Sequence, residues 1–188
     1  VAVLCWSWSN ILGPESLSKG IRVQTSSFVR GHMNATMSKA KITGQYIGSV
    51  LAKRESQRLG FDDALMLDAD GRVCEASAAN LFVVHGGQLF TPPLDLPILA
   101  GITRDTILTL ARERGIPVVE RAMTRDMLYA ASEVFLTGTG AEVCPVREVD
   151  GRRIGAGARG PLTARLQDAF FEVVRGPGAP KPDWLTFI

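Results

Sequence analysis

Two lysines, Lys39 and Lys41, stand just before a predicted helix, within the stretch Ser-Lys-Ala-Lys-Ile-Thr-Gly-Gln-Tyr of residues 38–46. A lysine amine becomes a covalent catalyst only when it loses its proton, which burial or a neighbouring cation promotes. Taken alone, two lysines so close together are typical of solvent-exposed charges. Ser38 and Lys41 also have the Ser-x-x-Lys spacing of some serine hydrolases. The Ser-Asp-Asn and Lys-Thr-Gly motifs that accompany that spacing are absent, which argues against a hydrolase.

Glu75 follows a predicted strand and precedes a run of small residues, Ala-Ser-Ala-Ala at positions 76–79. Small side chains there would let a flat ligand approach the backbone. A carboxylate beside a pyridine nitrogen keeps that nitrogen protonated, so that the ring can act as an electron sink. The alternative is an ordinary glutamate at the end of a strand.

Two further stretches combine hydroxyl groups with backbone amides that could bind an anion. Gly101, Ile102 and Thr103 open the clearest predicted helix, and a helix N-terminus favours a phosphate group. Thr103 is also a good N-cap residue, and that interpretation is the default. Residues 137–141, Thr-Gly-Thr-Gly-Ala, form a second candidate loop, although glycine-rich loops after strands are frequent.

The composition argues against several other classes of protein. Charged residues make up 21% of the 188, the formal net charge is +2 and the basic residues are scattered, so no nucleic-acid partner is expected. No apolar run is long enough to span a bilayer. His32 and His85 lack metal-ligand spacing, so no metal is expected. Arg30 and Asn34, which flank His32, could support Lys41. The odd number of cysteines, three, indicates free thiols and a cytoplasmic location.

Many short strands mixed with helices predict an α/β (α+β) domain that is more barrel-like than doubly wound. We expect helices over residues 44–59, 103–114, 125–131 and 162–174, and strands over 1–6, 21–28, 64–68, 73–75, 80–85, 88–91, 118–120, 133–137 and 143–149. In the first helix Ile47, Val50, Leu51 and Leu59 are expected to form the buried face. The chain begins on the apolar stretch Val-Ala-Val-Leu-Cys-Trp, which suggests that a preceding domain is missing.

Taken in order, these segments resemble the branched-chain aminotransferase family of fold-type IV pyridoxal-phosphate enzymes. Each segment is a weak signal alone, but the ordered set covers nearly the whole chain and is highly specific. The matching segments are residues 26–30, 38–53, 75–82, 99–105, 137–146 and 160–171.

The resemblance implies a role for each candidate residue. Lys41 would form the Schiff base with pyridoxal 5'-phosphate and move the proton at the substrate Cα, while Tyr46 would hydrogen-bond the phenolic oxygen of the cofactor. Glu75 would pair with the ring nitrogen and Leu99 would pack on the ring. The phosphate would be bound by Gly101, Ile102, Thr103 and Thr139, and the substrate by Ala78, Gly138, Gly140 and Ala141.

The resemblance also implies an architecture and a reaction. Residues 1–188 would be the large C-terminal cofactor-binding domain, with 1–20 as the interdomain connection and first strand, and the small N-terminal domain would be absent. The reaction would move an amino group between a branched-chain L-amino acid and 2-oxoglutarate, in a homodimer or higher oligomer. Alternatives are D-amino acids, amines or aminodeoxychorismate as substrates, or a chain that is an inactive fragment or a binding partner and not a working enzyme.

Two departures from the family pattern bear on the substrate. Ala79 stands where many members have an acidic residue, and Ile11 replaces a pocket aromatic often found three residues after the tryptophan that matches Trp8. These differences affect the expected substrate preference and leave the expected cofactor chemistry unchanged.

Overall fold

A mixed sheet surrounded by helices makes up the part of the chain that the computed structural model describes, residues 2–5, 11–13, 15–175 and 181–184. The strands are β1 Ile21–Thr25, β2 Asp63–Leu67, β3 Val73–Ala76, β4 Asn80–His85, β5 Gln88–Thr91, β6 Val118–Glu120, β7 Glu133–Gly138, β8 Glu142–Val149 and β9 Arg152–Arg153. The α-helices are α1 Ser16–Lys19, α2 Met33–Thr36, α3 Tyr46–Arg58, α4 Ile102–Glu113, α5 Arg125–Tyr129 and α6 Pro161–Arg175.

Six of the strands close into a barrel. The sheet runs in the order β3-β2-β1-β8-β7-β4-β5-β6, and β3 also pairs with β4 through Glu75 opposite Asn80, which joins the two ends of the six-stranded part. Strand β1 runs parallel to β2 and β8, whereas the other barrel pairings are antiparallel. The prediction of a barrel-like mixed sheet is therefore confirmed.

Alternating side chains of the strands fill the two sides of the barrel wall. On β4, Leu81 and Val83 belong to the cluster inside the barrel, whereas Phe82 and Val84 belong to the outer cluster that packs against α4 and α6. Phe82 stacks on Phe135 of β7, with ring centroids 5.0 Å apart. This period of two fits strands that are covered on both faces.

Helix α3 packs against the barrel with the face opposite to the one predicted to be buried. Its buried residues are Ser49, Ala52 and Ser56, and Ala52 contacts the core side chains of β2. The predicted buried face is exposed instead, with fractional exposures of 66% for Ile47, 51% for Val50, 45% for Leu51 and 59% for Leu59. The small residues permit a close approach of the helix to the barrel, which bulky side chains at the same positions would prevent.

The strand predicted over residues 1–6 is wrong for the residues that the structure describes. Residues 2–5 have no regular structure, and Val3 and Leu4 are exposed. Val1, Trp6 and the neighbouring Trp8 lie outside the described residues. The first strand of the described chain is β1, and the other predicted elements form with ends shifted by at most three residues.

Within the described ranges, no helix is both long enough and apolar enough to cross a membrane. The same ranges contain no group of three or more His, Cys, Asp or Glu side chains arranged to hold a metal ion. The three cysteines are free thiols, as predicted, with Cys74 and Cys144 buried and Cys5 exposed.

Candidate active site

One cavity of about 550 Å³ brings together residues from four separate stretches of the chain, 38–46, 75–80, 99–103 and 137–140. Cavities of this size bind small molecules and cofactors. All the residues proposed from the sequence as site residues line it except Ala141, which is buried beside Gly140 in the barrel core. Ile11 and Arg30 complete the lining.

Lys41 faces the cavity beside the first residue of α3. Its ammonium donates a hydrogen bond to the Tyr46 hydroxyl at 3.0 Å. The segment that carries Lys41 is held in place by Gln45, whose side-chain amide donates to the carbonyl oxygens of Ala40, at 3.0 Å, and Met37. Lys41 therefore has the phenol of Tyr46 as its neighbour in the cavity.

Lys39 has a different environment, which separates the two lysines. Its ammonium donates to the carbonyl oxygens of Leu96, at 2.8 Å, and Ile98, at 2.9 Å. Partial burial lowers the pKa of Lys39, although Glu75 opposes that shift. Because its nitrogen is bound to backbone carbonyls, Lys39 ties the lysine segment to residues 96–98 and leaves Lys41 as the amine that is available in the cavity.

Glu75 is a buried carboxylate in the cavity wall, with 5% of its surface exposed. Its Oε1 forms an ion pair with Arg30 Nη2 at 2.8 Å. Its Oε2 accepts hydrogen bonds from Asn80 Nδ2, at 2.9 Å, and from the Leu99 amide, at 3.1 Å. Burial raises the pKa of Glu75 to about 7, and the shift would be larger without the opposing charge of Arg30. A cation bound beside this carboxylate would favour its charged form.

The suggestion that Arg30 supports Lys41 is wrong, because the cavity residue that Arg30 pairs with is Glu75. Besides the ion pair, Arg30 donates from Nη1 to the Ser49 hydroxyl, at 3.1 Å, and from Nε to the Pro97 carbonyl, at 3.1 Å. These three contacts fix the guanidinium, and the guanidinium in turn fixes one carboxylate oxygen of Glu75.

The N-terminus of α4 lies at one end of the cavity. Gly101 is the N-cap residue, with extended backbone and no side-chain cap hydrogen bond, so the interpretation of Thr103 as a simple N-cap is wrong. Thr103, the second residue of α4, is 95% buried and lines the cavity. The first amides of α4 have no acceptor within the helix, and together with the helix dipole they favour a phosphate group.

The loop after β7 closes the remaining side of the cavity. Gly138, Thr139 and Gly140 line it, and the Gly140 carbonyl accepts a hydrogen bond from the Ile11 amide at 3.1 Å. The Thr137 hydroxyl oxygen is buried and has no hydrogen-bond partner among the described residues. This loop offers hydroxyl groups and backbone close to the start of α4.

The family profile of the amino-transferase class IV proteins matches residues 4–149 of this sequence. The chain therefore belongs to the class IV aminotransferase family.

Among its relatives is the branched-chain-amino-acid aminotransferase of Pseudomonas aeruginosa, which is 50% identical over 188 residues, 100% of this chain and 61% of that protein. The crystal structure of the Escherichia coli branched-chain amino acid aminotransferase superposes with a TM-score of 0.94 at 43% identity, over 97% of this chain and 60% of that one. The structure of the T.th. branched-chain amino acid aminotransferase complexed with N-(5'-phosphopyridoxyl)-L-glutamate superposes with a TM-score of 0.87 at 44% identity, over 90% of this chain and 57% of that one. This class IV aminotransferase chain thus spans about 60% of the length of these relatives.

The hydrogen bonds and ion pairs of three residues in this class IV aminotransferase site were not predicted from the sequence. Arg30, Lys39 and Asn80 each bond to a residue that is distant in sequence. The only sequence signal for Asn80 was its position five residues after Glu75, which fits two facing strand residues joined by a tight turn. No local pattern indicated the partners of Arg30 and Lys39.

Proposed function

We propose that this chain is the cofactor-binding part of a pyridoxal-phosphate-dependent aminotransferase that exchanges an amino group between a branched-chain L-amino acid and 2-oxoglutarate. The observation that carries the proposal is the cavity that joins the Lys41–Tyr46 pair, the buried Glu75 and the start of α4. These are a base, a carboxylate for a ring nitrogen and a phosphate anchor, and one molecule that requires all three is pyridoxal phosphate.

The donor set of the cavity fits that cofactor. The ion pair with Arg30 orients the Glu75 carboxylate. Burial nevertheless raises the pKa of Glu75 to about 7, so a positively charged group bound at this wall would be favoured. The uncapped start of α4 and the buried Thr103 supply donors for a phosphate group. The solved relative with a phosphopyridoxyl ligand supports the assignment.

When bound, pyridoxal phosphate supplies an electron-accepting ring that takes up the electron pair released at the substrate Cα. Lys41 would hold the cofactor and carry the Cα proton, since its amine is the one in the cavity that is not bound to backbone carbonyls. The Tyr46 hydroxyl holds the Lys41 nitrogen at 3.0 Å and would orient it for that transfer. Glu75 would keep the ring nitrogen protonated, while amides of α4 and the hydroxyls of Thr103 and Thr139 would bind the phosphate.

The substrate assignment rests on the relatives and on the shape of the open side of the cavity. Gly138, Gly140 and the exposed Ala78 present backbone and small side chains there, which suits a substrate carboxylate close to the loop. The relatives are branched-chain-amino-acid aminotransferases, and the ligand of one of them contains L-glutamate, the amino acid that corresponds to 2-oxoglutarate. We extend both features to this chain, with the backbone of Gly140 facing the substrate carboxylate.

The proposal includes an assembly and a location. We propose that residues 1–188 act as the large domain together with a small N-terminal domain, in a homodimer or higher oligomer in the cytoplasm. The exposed apolar face of α3, formed by Ile47, Val50 and Leu51, supports contact with a further protein surface. The free buried thiols of Cys74 and Cys144 fit a reducing compartment.

The test is covalent labelling of the full chain. The protein is mixed with pyridoxal phosphate, reduced with borohydride and digested, and the peptides are analysed by mass spectrometry. The cofactor mass is expected on Lys41, and Lys41→Ala should abolish the label together with the visible absorption of bound cofactor. Lys39→Ala is the matched control, because it removes an amine two residues away.

Labelling of Lys39 in the wild-type protein, or equal labelling of Lys41→Ala, would contradict the assignment of Lys41. The substrate is then tested by supplying L-leucine, D-alanine and a chiral amine with the appropriate oxo acid. Turnover confined to D-alanine or to the amine would reject the branched-chain assignment and retain the cofactor assignment.

A further inference from the structure

Asn80 connects two parts of the cavity that lie on different segments of the chain. Its side-chain amide Nδ2 donates to Glu75 Oε2, at 2.9 Å, and to the Leu99 carbonyl, at 2.9 Å. The Leu99 amide donates to the same Glu75 oxygen, at 3.1 Å. Three groups, the Glu75 carboxylate, the Asn80 amide and the Leu99 peptide, therefore form a closed ring of hydrogen bonds.

This ring continues directly into the start of α4. The Leu99 carbonyl that accepts from Asn80 also accepts from the Gly101 amide, at 2.9 Å. The Gly101 carbonyl accepts the first bond of the helix, from the Asp105 amide at 3.1 Å. A displacement of the Leu99 carbonyl would therefore move the backbone that leads into the helix.

The side-chain oxygen of Asn80 makes a second contact with the same turn. A Cβ placed on Gly101 would overlap with Asn80 Oδ1, so this oxygen occupies the space that a side chain at position 101 would need. Asn80 is 95% buried and cannot move away into solvent. The nitrogen of the Asn80 amide is therefore bonded to Glu75 and Leu99, and its oxygen packs against Gly101.

We propose that Asn80 is a positioning residue that sets the distance between the Glu75 carboxylate and the phosphate-binding start of α4, an inference that rests on the proposed function. A rigid ligand that uses both groups requires them at a fixed separation. Asn80 is bonded to Glu75 and to the Leu99 carbonyl, and it acts on the two ends of such a ligand through Glu75 and through the turn of residues 99–101.

The first experiment uses the full chain without cofactor and measures amide hydrogen exchange. In Asn80→Leu, which has a similar size but no hydrogen-bonding groups, exchange at Leu99 and Gly101 is expected to accelerate about tenfold or more, as for the loss of one or two hydrogen bonds. Exchange in α6 should stay unchanged. Asn34→Leu is the matched control, since Asn34 is exposed and does not line the cavity.

The second experiment compares pyridoxal phosphate with pyridoxal, which lacks the phosphate group. The gain in affinity that the phosphate provides, measured as the ratio of the two dissociation constants, is expected to fall about tenfold in Asn80→Leu. If Asn80 only held Glu75, its replacement would weaken the binding of pyridoxal phosphate and of pyridoxal by the same factor. Asn80→Asp, which keeps the shape but replaces the donating amide by a second carboxylate against Glu75 Oε2, should bind both ligands more weakly than Asn80→Leu at neutral pH.

Two results would overturn the inference. One is an unchanged ratio of dissociation constants in Asn80→Leu, and the other is acceleration of exchange throughout the chain to the same extent as at Leu99, which would show a purely structural role. If the wild-type protein bound neither pyridoxal phosphate nor pyridoxal, the proposed function would fail, and the exchange measurement in the cofactor-free protein would still decide whether Asn80 fixes the turn.

Discussion

Replacement of Glu75 by glutamine should make the cofactor-free protein less sensitive to pH. Burial raises the pKa of Glu75 from its ordinary value of 4.5 to about 7, so the native protein holds this proton more tightly than the unfolded chain does. The free energy of unfolding must therefore fall as the pH rises from about 4.5 to about 7. Each tenfold change in proton affinity corresponds to about 1.4 kcal/mol, so the full effect is about 3 kcal/mol.

Between pH 5 and pH 8 the contribution of Glu75 is about 2–3 kcal/mol, because part of the titration lies below pH 5. The free energy of unfolding is measured by urea denaturation, followed by far-ultraviolet circular dichroism, at both pH values. The decrease from pH 5 to pH 8 is expected to be about 2–3 kcal/mol smaller in Glu75→Gln than in the wild-type protein. Other titrating groups are common to the two proteins and cancel in this difference.

Glu172→Gln, which removes a carboxylate at the protein surface, is the matched control for the substitution itself. The same pH dependence in Glu75→Gln and wild type would refute the reasoning, since it would mean that Arg30 and the two hydrogen bonds fully compensate the burial. A larger decrease in Glu75→Gln would contradict the direction of the pKa shift.

Gly160→Ala should lower the free energy of unfolding by about 2–4 kcal/mol in urea denaturation, because the new Cβ would overlap with the Glu133 carboxylate that accepts hydrogen bonds from the first amides of α6. Gly48→Ala, where the added Cβ meets open space within a helix, should raise it by up to about 1 kcal/mol, and equal losses in the two variants would contradict the capping role of Glu133. In sedimentation velocity the wild-type chain should form a dimer or larger assembly that Leu51→Lys dissociates, whereas Leu94→Lys, on an exposed loop, should leave the assembly intact. A wild-type chain that sediments as a monomer would contradict the proposed oligomer.

Most of the elements could be predicted from the sequence because they depend on local pattern, whereas the cavity residues were assigned through the ordered set of segments that resembles a known family. A strongly apolar run located β4, and the small residues after Glu75 indicated where a ligand could approach the backbone. The contacts of Arg30 and Asn80 could not be predicted in the same way. They depend on the path of residues 96–101 across the cavity, which brings Leu99 to Asn80 and Pro97 to Arg30.

The wrong face assigned to α3 has a physical cause as well. Apolar spacing identifies which residues of a helix lie on one side, but it does not identify which side meets the rest of the chain. In the described structure the barrel offers space only for a face of small residues, Ser49, Ala52 and Ser56. The apolar side with Ile47 is thereby left on the outside.

The pairing of β1 with β8 has a consequence for the order in which the native protein assembles. Ile21 lies opposite Val146, so the barrel cannot close until segments from near both ends of the described core have met. Contacts of such high sequence separation form slowly, because much chain entropy is lost before they are made. Glu75 and Asn80 lie at the β3–β4 seam, which belongs to the same closed ring of strands. The helices and local hairpins can thus form early in refolding, while the ability to take up a ligand is acquired only when the ring closes.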